Sequence, residues 1–192
     1  MTVLILGLIV FLGVHSVRIV AAPWRARTIA RIGPNAWKGA YSLLSLAGFA
    51  LLVWGYGEAR QQSALLYDPP PYTRHIAALL MLVSLVLLAA SKLPHNYFKS
   101  RFGHPMLLGV KVWAFAHLIA NGRVADVLLF GSFLLWAVVD YIAARRRDRA
   151  EGVVYPAADE MRTVLTVVAG VMLWALFVGG LHLWLFGVLP LL

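Results

Sequence analysis

The sequence predicts an all-α integral membrane bundle of six transmembrane helices, or five if the short fourth segment is re-entrant, with both termini extracytoplasmic. Three observations predict it: a composition too apolar for water, six apolar stretches of helical length, and basic residues that alternate between rich and poor connections. Of 192 residues, 61% are hydrophobic and 13% charged, which leaves too little polar surface to clothe a soluble globule. In lipid the backbone must satisfy its own hydrogen bonds, and a helix of about 20 apolar residues does so while crossing the hydrocarbon core.

The first segment covers residues 2–22. Its leading end lacks the basic residues of a signal peptide, and His15 and Arg18 interrupt its apolar run, so it is expected to be retained. The second runs over 39–57 between Lys38 and Glu58, and the third over 75–91 between Arg74 and Lys92. The fourth, 105–120, is only about 24 Å long at a rise of roughly 1.5 Å per residue, and Lys111 sits in its middle, so it is short, tilted or re-entrant. The fifth covers 124–144, with Asp126 and Asp140 near its ends, and the sixth lies within the uncharged stretch 163–192.

Basic residues are retained on the cytoplasmic side of a bilayer. Arg25, Arg27, Arg31 and Lys38 lie in the first connection, Lys92, Lys99 and Arg101 in the third, and Arg145, Arg146, Arg147, Arg149 and Arg162 in the fifth. The second holds Arg60 and Arg74, and the fourth only Arg123. The odd connections are therefore cytoplasmic, and the alternation requires the fourth segment to cross. Asp68-Pro69-Pro70-Pro71-Tyr72 reads as a rigid external loop and 145–160 as a polar cytoplasmic one. No internal repeat or soluble domain interrupts a single domain over 1–192. The net charge of +9 serves topology rather than nucleic-acid binding, because the basic residues border apolar runs. With no cysteine, disulfides, thiolate metal sites and a cysteine nucleophile are excluded.

An ionisable side chain at membrane depth costs a few kcal/mol on insertion scales, so it needs a partner, a cavity or a route to the interface. Arg18 can snorkel from its place near the cytoplasmic end of the first segment. Asp140 and Lys111 lie at similar depth and are expected to pair and lock two helices. His75 reaches headgroups, His95 and His104 are loop or cap residues, and His182 is expected to bond between helices.

His15, followed by Ser16, and His117 lie several residues inside their spans. At helical spacing His15 shares a stripe with Gly7, Phe11 and Arg18, and His117 with Trp113, Ala114 and Asn121. Two histidines on different helices can ligate a haem iron axially, with aromatic and small residues beside the porphyrin and a basic side chain on a propionate. The alternative is a pair of core histidines bonded to neighbouring helices. Counted along the helices from the cytoplasmic ends, His15 lies about 10 Å deep and His117 about 20 Å, a mismatch that tilt or a sunken fourth segment would have to remove.

The run from His104-Pro105 through Gly109, Lys111, Trp113 and His117 to Asn121-Gly122, followed by Phe130-Gly131-Ser132, resembles the signature of the NnrU family of membrane proteins, as does His15-Ser16 with its following arginines. The resemblance covers nearly the whole chain and implies the bacterial cytoplasmic membrane and a link to nitric-oxide metabolism and denitrification. The plant zeta-carotene isomerase is similar to this family, and that likeness implies haem b, with His15 and His117 as iron ligands. Arg18 and Lys111 become the expected propionate partners, and Trp113 and Phe11 the pocket walls. The plant enzyme's cysteine, an alternative iron ligand, falls on Ala114, so a thiolate switch has no counterpart. Both axial positions would be filled by histidine. A substrate, a hydrophobic cis-polyene or nitric oxide, must then displace one, and His117 on the short fourth segment is the one expected to move. A haem sensor, an electron-transfer subunit or an assembly factor is the non-enzymatic alternative. Arg101-Phe102-Gly103-His104-Pro105 also faintly resembles the Arg-His-Pro element of membrane methyltransferases that use S-adenosylmethionine.

Overall fold

The computed structural model describes residues 1–191. Among them every regular element is helical, and extended pairing is confined to one antiparallel bridge between Leu65 and Arg123. Five helices are long and apolar enough to cross a membrane: Thr2–Val20, Pro34–Gln62, Tyr72–Lys92, Val124–Ala150 and the broken helix Glu160–Phe186. The expected fourth segment forms a helix with its expected bounds, Pro105–Ala120, and at 16 residues it is the short one. The chain divides into two compact units.

The first unit is Met1–Tyr67 with Arg123–Ser132. It holds α1 (Thr2–Val20), α2 (Ala22–Ile32) and α3 (Pro34–Gln62). Pro23 in the first turn of α2 and Pro34 at the start of α3 occupy positions whose amide has no intrahelical acceptor. Between them Gly33 turns the chain at φ 84°, a conformation that favours glycine. α1 and α3 run antiparallel and very close. A Cβ on Gly7 would lie 2.6 Å from the Leu52 amide nitrogen, one on Gly48 2.8 Å from that of Phe11, and one on Gly55 would meet that of Leu4. Small residues thus let two backbones touch, the usual means of packing helices where lipid gives no hydrophobic drive. Leu4, Leu8 and Leu52 are buried along the seam. At the far end Tyr56 donates to Asp126 Oδ1 at 2.7 Å, and the Arg123 amide donates to Asp126 Oδ2 at 3.1 Å. Asp126 thereby caps the start of α7 (Val124–Ala150) and is 2% exposed.

The second unit is Asp68–Gly122 together with the chain from Phe133 onward. It holds α4 (Tyr72–Lys92), α5 (Tyr97–Phe102), α6 (Pro105–Ala120), the rest of α7, and α8 (Glu160–Leu176), followed by a π-helical turn over Phe177–Leu181 and α9 (His182–Phe186). α4 packs against both α6 and α8, which explains its buried run through Ser84, Leu85, Val86, Leu87, Ala89 and Ala90. Ser84 Oγ donates to the Gly109 carbonyl at 2.8 Å, and Trp174 Nε1 donates to that of Ala78 at 2.8 Å. Gly170 admits Val86 so closely that a Cβ would lie 2.5 Å from its Cα.

The sixth segment falls where expected, within Glu160–Phe186, and carries a break inside it: Gly180, at φ 145°, interrupts the ladder, and the π-helical turn absorbs the interruption. Two expectations need correction. His182 does not bond between helices, because its Nδ1 donates to the Val188 carbonyl, six residues on, at 2.7 Å. Lys111 does not pair with Asp140. Its ammonium lies 4.0 Å from the Tyr141 ring centroid, and Asp140 meets Arg147 Nη2 at 3.8 Å. An arginine two turns along the same helix reaches the carboxylate, while the quadrupole of an aromatic face takes the lysine.

Candidate functional site

His15 lies in the last third of α1, in the first unit. Its Nδ1 donates to the Phe11 carbonyl at 2.7 Å. A carbonyl only accepts, so Nδ1 carries the proton and, in the neutral ring, the lone pair falls on Nε2. The Phe11 ring centroid is 4.2 Å from the imidazole, and Tyr41 of α3 meets it edge-on at 5.3 Å. Gly48 sets this arrangement by letting α3 approach the Phe11 backbone, one turn before His15. Ser16 donates its hydroxyl to the Leu12 carbonyl at 2.7 Å and so stays on its own helix. Arg18, one turn beyond His15, is exposed in the last turn of α1.

His117 lies near the end of α6, in the second unit, in the same local arrangement. Its Nδ1 donates to the Trp113 carbonyl at 2.8 Å, and the Trp113 ring is 5.3 Å away. Phe133 holds Trp113 edge-on at 5.5 Å, and Asn121 Nδ2 donates to the His117 carbonyl at 2.9 Å. Ala114 and Ala116 are both 0% exposed, so the residues flanking this turn are small and sealed. Lys111, one and a half turns back, is held by the face of Tyr141. Each histidine thus follows an aromatic residue by four positions and uses that residue's carbonyl to fix its tautomer. Such a bond on the second nitrogen orients an imidazole and raises its basicity as a ligand to iron. Among the described residues no three His, Cys, Asp or Glu side chains gather into a group that could hold a metal ion.

A cluster absent from the sequence reading joins four residues at the basic end of the second unit. His104 Nε2 lies 2.9 Å from Asp148 Oδ2, Tyr155 donates its hydroxyl to the same oxygen at 2.7 Å, and Arg145 Nη1 donates to it at 3.2 Å. Asp148 lies past Ala144, where the apolar part of α7 ends. Burial pushes its carboxyl up, but Tyr155, His104 and Arg145 together hold it below the usual carboxylate range. Burial, followed by the bond to Asp148, raises the Tyr155 phenol. Gly103, at φ 75°, clears the space, since a Cβ there would lie 2.6 Å from the Tyr155 hydroxyl. The same loop is tied at Asp159, whose amide donates to the His95 carbonyl at 2.7 Å, and at Pro156, whose carbonyl accepts from Ser100 Oγ at 2.7 Å. His104 is thus a loop residue, as expected, and its imidazole latches the 151–159 segment.

A family model described as NnrU protein matches residues 3–190 of the chain. No curated protein matches it, and no solved structure does.

Proposed function

The chain belongs to the NnrU family, and we propose that this membrane protein binds haem b, which His15 and His117 would hold, and serves nitric-oxide metabolism in the cytoplasmic membrane of a bacterium. The observation that carries the reading is the repeated arrangement: each imidazole sits inside an apolar helix, one turn after an aromatic ring, with its tautomer fixed by a carbonyl on Nδ1. When bound, haem b would supply a one-electron iron couple and an iron with affinity for nitric oxide. The residues of this chain hold and tune it. Phe11 and Trp113 would give the imidazoles apolar neighbours, Arg18 would offer a cation to a propionate, Lys111 would do so on leaving the face of Tyr141, and the buried Ala114 offers no sulfur ligand. That alanine favours nitric oxide over polyene isomerisation, because the cysteine expected of the isomerase has no equivalent here.

Substitution of the histidines tests the proposal. The whole chain purified with ample haem supply is expected to carry one haem per protein with a six-coordinate, low-spin spectrum. His15→Ala and His117→Ala are each expected to give a high-spin spectrum, and the double variant to lose the pigment. Pigment and spectrum unchanged in both single variants would refute the assignment. Anaerobic nitric oxide added to the reduced protein is expected to shift the spectrum, and an unchanged spectrum would refute the nitric-oxide role while leaving the ligands standing.

A further inference from the structure

The elbow between the first two spanning helices carries charge with nothing in its own unit to balance it. α2 has 11 residues, about 16 Å at the helical rise, too short to cross a bilayer. It is joined by one-residue links to α1 and α3, both long and apolar enough to cross, and none of its residues is buried. Ala22, Ala26, Ile29 and Ala30 share one face, while Arg27 and Arg31, four apart, share another with Trp24. Arg25 stands 5.8 Å over the ring of Trp37, and Trp24 meets Trp37 edge-on at 5.8 Å. Tryptophan pairs of this kind mark the level where hydrocarbon gives way to headgroups.

Arg18, Arg25, Arg27, Arg31 and Lys38 all lie at this end, and among the described residues none of them joins an ion pair. The acidic residues of the first unit are Glu58 and Asp126. Both lie at the opposite end of the α1–α3 pair, Asp126 buried against Tyr56 and Glu58 accepting from Trp54 Nε1 at 2.9 Å. The counter-charge for the elbow must therefore come from outside the unit.

We propose that α2 is an interfacial helix that binds the phosphate headgroups of anionic phospholipids through Arg25, Arg27 and Arg31, with Lys38 at its flank. The aliphatic face lies toward the acyl chains, Trp24 and Trp37 fix its depth, and guanidinium forks take phosphate oxygens in paired hydrogen bonds. Basic side chains near an anionic surface act additively and are screened by salt within a Debye length of about 10 Å at 0.1 M.

The test uses the full chain, delipidated in neutral detergent and titrated with phosphatidylglycerol or phosphatidylcholine, with retained lipid counted by native mass spectrometry. The wild type is expected to hold phosphatidylglycerol in preference to phosphatidylcholine, and to lose the preference as salt rises. R25Q/R27Q/R31Q is expected to weaken phosphatidylglycerol binding by about fivefold per arginine, on the order of 100-fold in all. R25K/R27K/R31K, which keeps the charge but loses the paired fork, is expected to keep the preference with weaker binding, and the single variants R25Q, R27Q and R31Q, each expected to lose about fivefold, read the loss should the triple glutamine variant fail to fold. Equal binding of the two lipids by wild type, a preference indifferent to salt, or undiminished phosphatidylglycerol binding by the glutamine variant would overturn the proposal.

Discussion

Gly48→Ala and Gly57→Ala put the same methyl group on the same helix, three turns apart at most, and the structure assigns them opposite effects. At Gly48 the new Cβ would lie 2.8 Å from Phe11 N, 3.0 Å from its Cα and 3.1 Å from its Cβ, so α1 must move as a backbone. Overpacking of this kind costs about 1–3 kcal/mol. At Gly57 nothing lies within 4 Å, and only the preference of alanine over glycine in a helix remains, about 1 kcal/mol in favour. That preference applies at both sites and cancels in the difference, which leaves the overpacking term of about 1–3 kcal/mol separating the two variants. Equilibrium or thermal unfolding in a single detergent reads it, with Gly57→Ala above wild type by about 1 kcal/mol and Gly48→Ala level with wild type or below it by up to about 2 kcal/mol. Two variants that shift equally in either direction would show that α1 and α3 do not meet backbone to backbone. The same displacement moves the Phe11 carbonyl that receives the His15 proton, so Gly48→Ala is also expected to lower haem content where Gly57→Ala leaves it unchanged.

Asp148→Asn removes the charged acceptor shared by Tyr155, His104 and Arg145, and is expected to weaken the hold on the 151–159 loop by about 1.5–3 kcal/mol. Hydrogen exchange at the Asp159 amide measures that change against a distant control such as Asn121. The Asp148 carboxyl titrates below its unfolded value of about 3.9, so its contribution is fully present above that value and is lost as pH falls through the lower folded one. Protection of the Asp159 amide, corrected for intrinsic exchange, is therefore expected to stay level from neutrality to about pH 4 and to fall only below it. Trp174→Phe keeps the apolar bulk but loses the donor to the Ala78 carbonyl. It is expected to cost about 0.5–1.5 kcal/mol in the same unfolding assay.

The short helix Pro105–Ala120 was readable to the residue, because Pro105 marks its first position and Asn121-Gly122 its end. The longer helices outrun their apolar cores. α3 begins at Pro34 and ends at Gln62 around an apolar run of 39–57, and α7 continues to Ala150, since Ala, Arg and Gln are good helix formers whether or not lipid surrounds them. α2 was hidden for the same reason, its arginines reading as a connection. The bend at Gly179-Gly180 lies inside an uncharged stretch where hydropathy carries no signal of backbone conformation. At the site, Phe11 and Trp113 were visible by helical spacing from their histidines. Tyr41 and Phe133 come from other helices, and no periodicity links them to His15 or Trp113. The latch was beyond sequence for the same reason, since His104 meets Asp148 and Tyr155 at separations of 44 and 51 residues.

Electron paramagnetic resonance of the oxidised, purified whole chain is the most direct measurement of the central claim, because axial ligation sets the iron spin state and its g-values. Two imidazoles on one iron give a low-spin signal, and the account requires that signal in wild type and its replacement by a high-spin one when either His15 or His117 is changed to alanine. A colourless protein from haem-replete cells, or a haem signal indifferent to both substitutions, would contradict it.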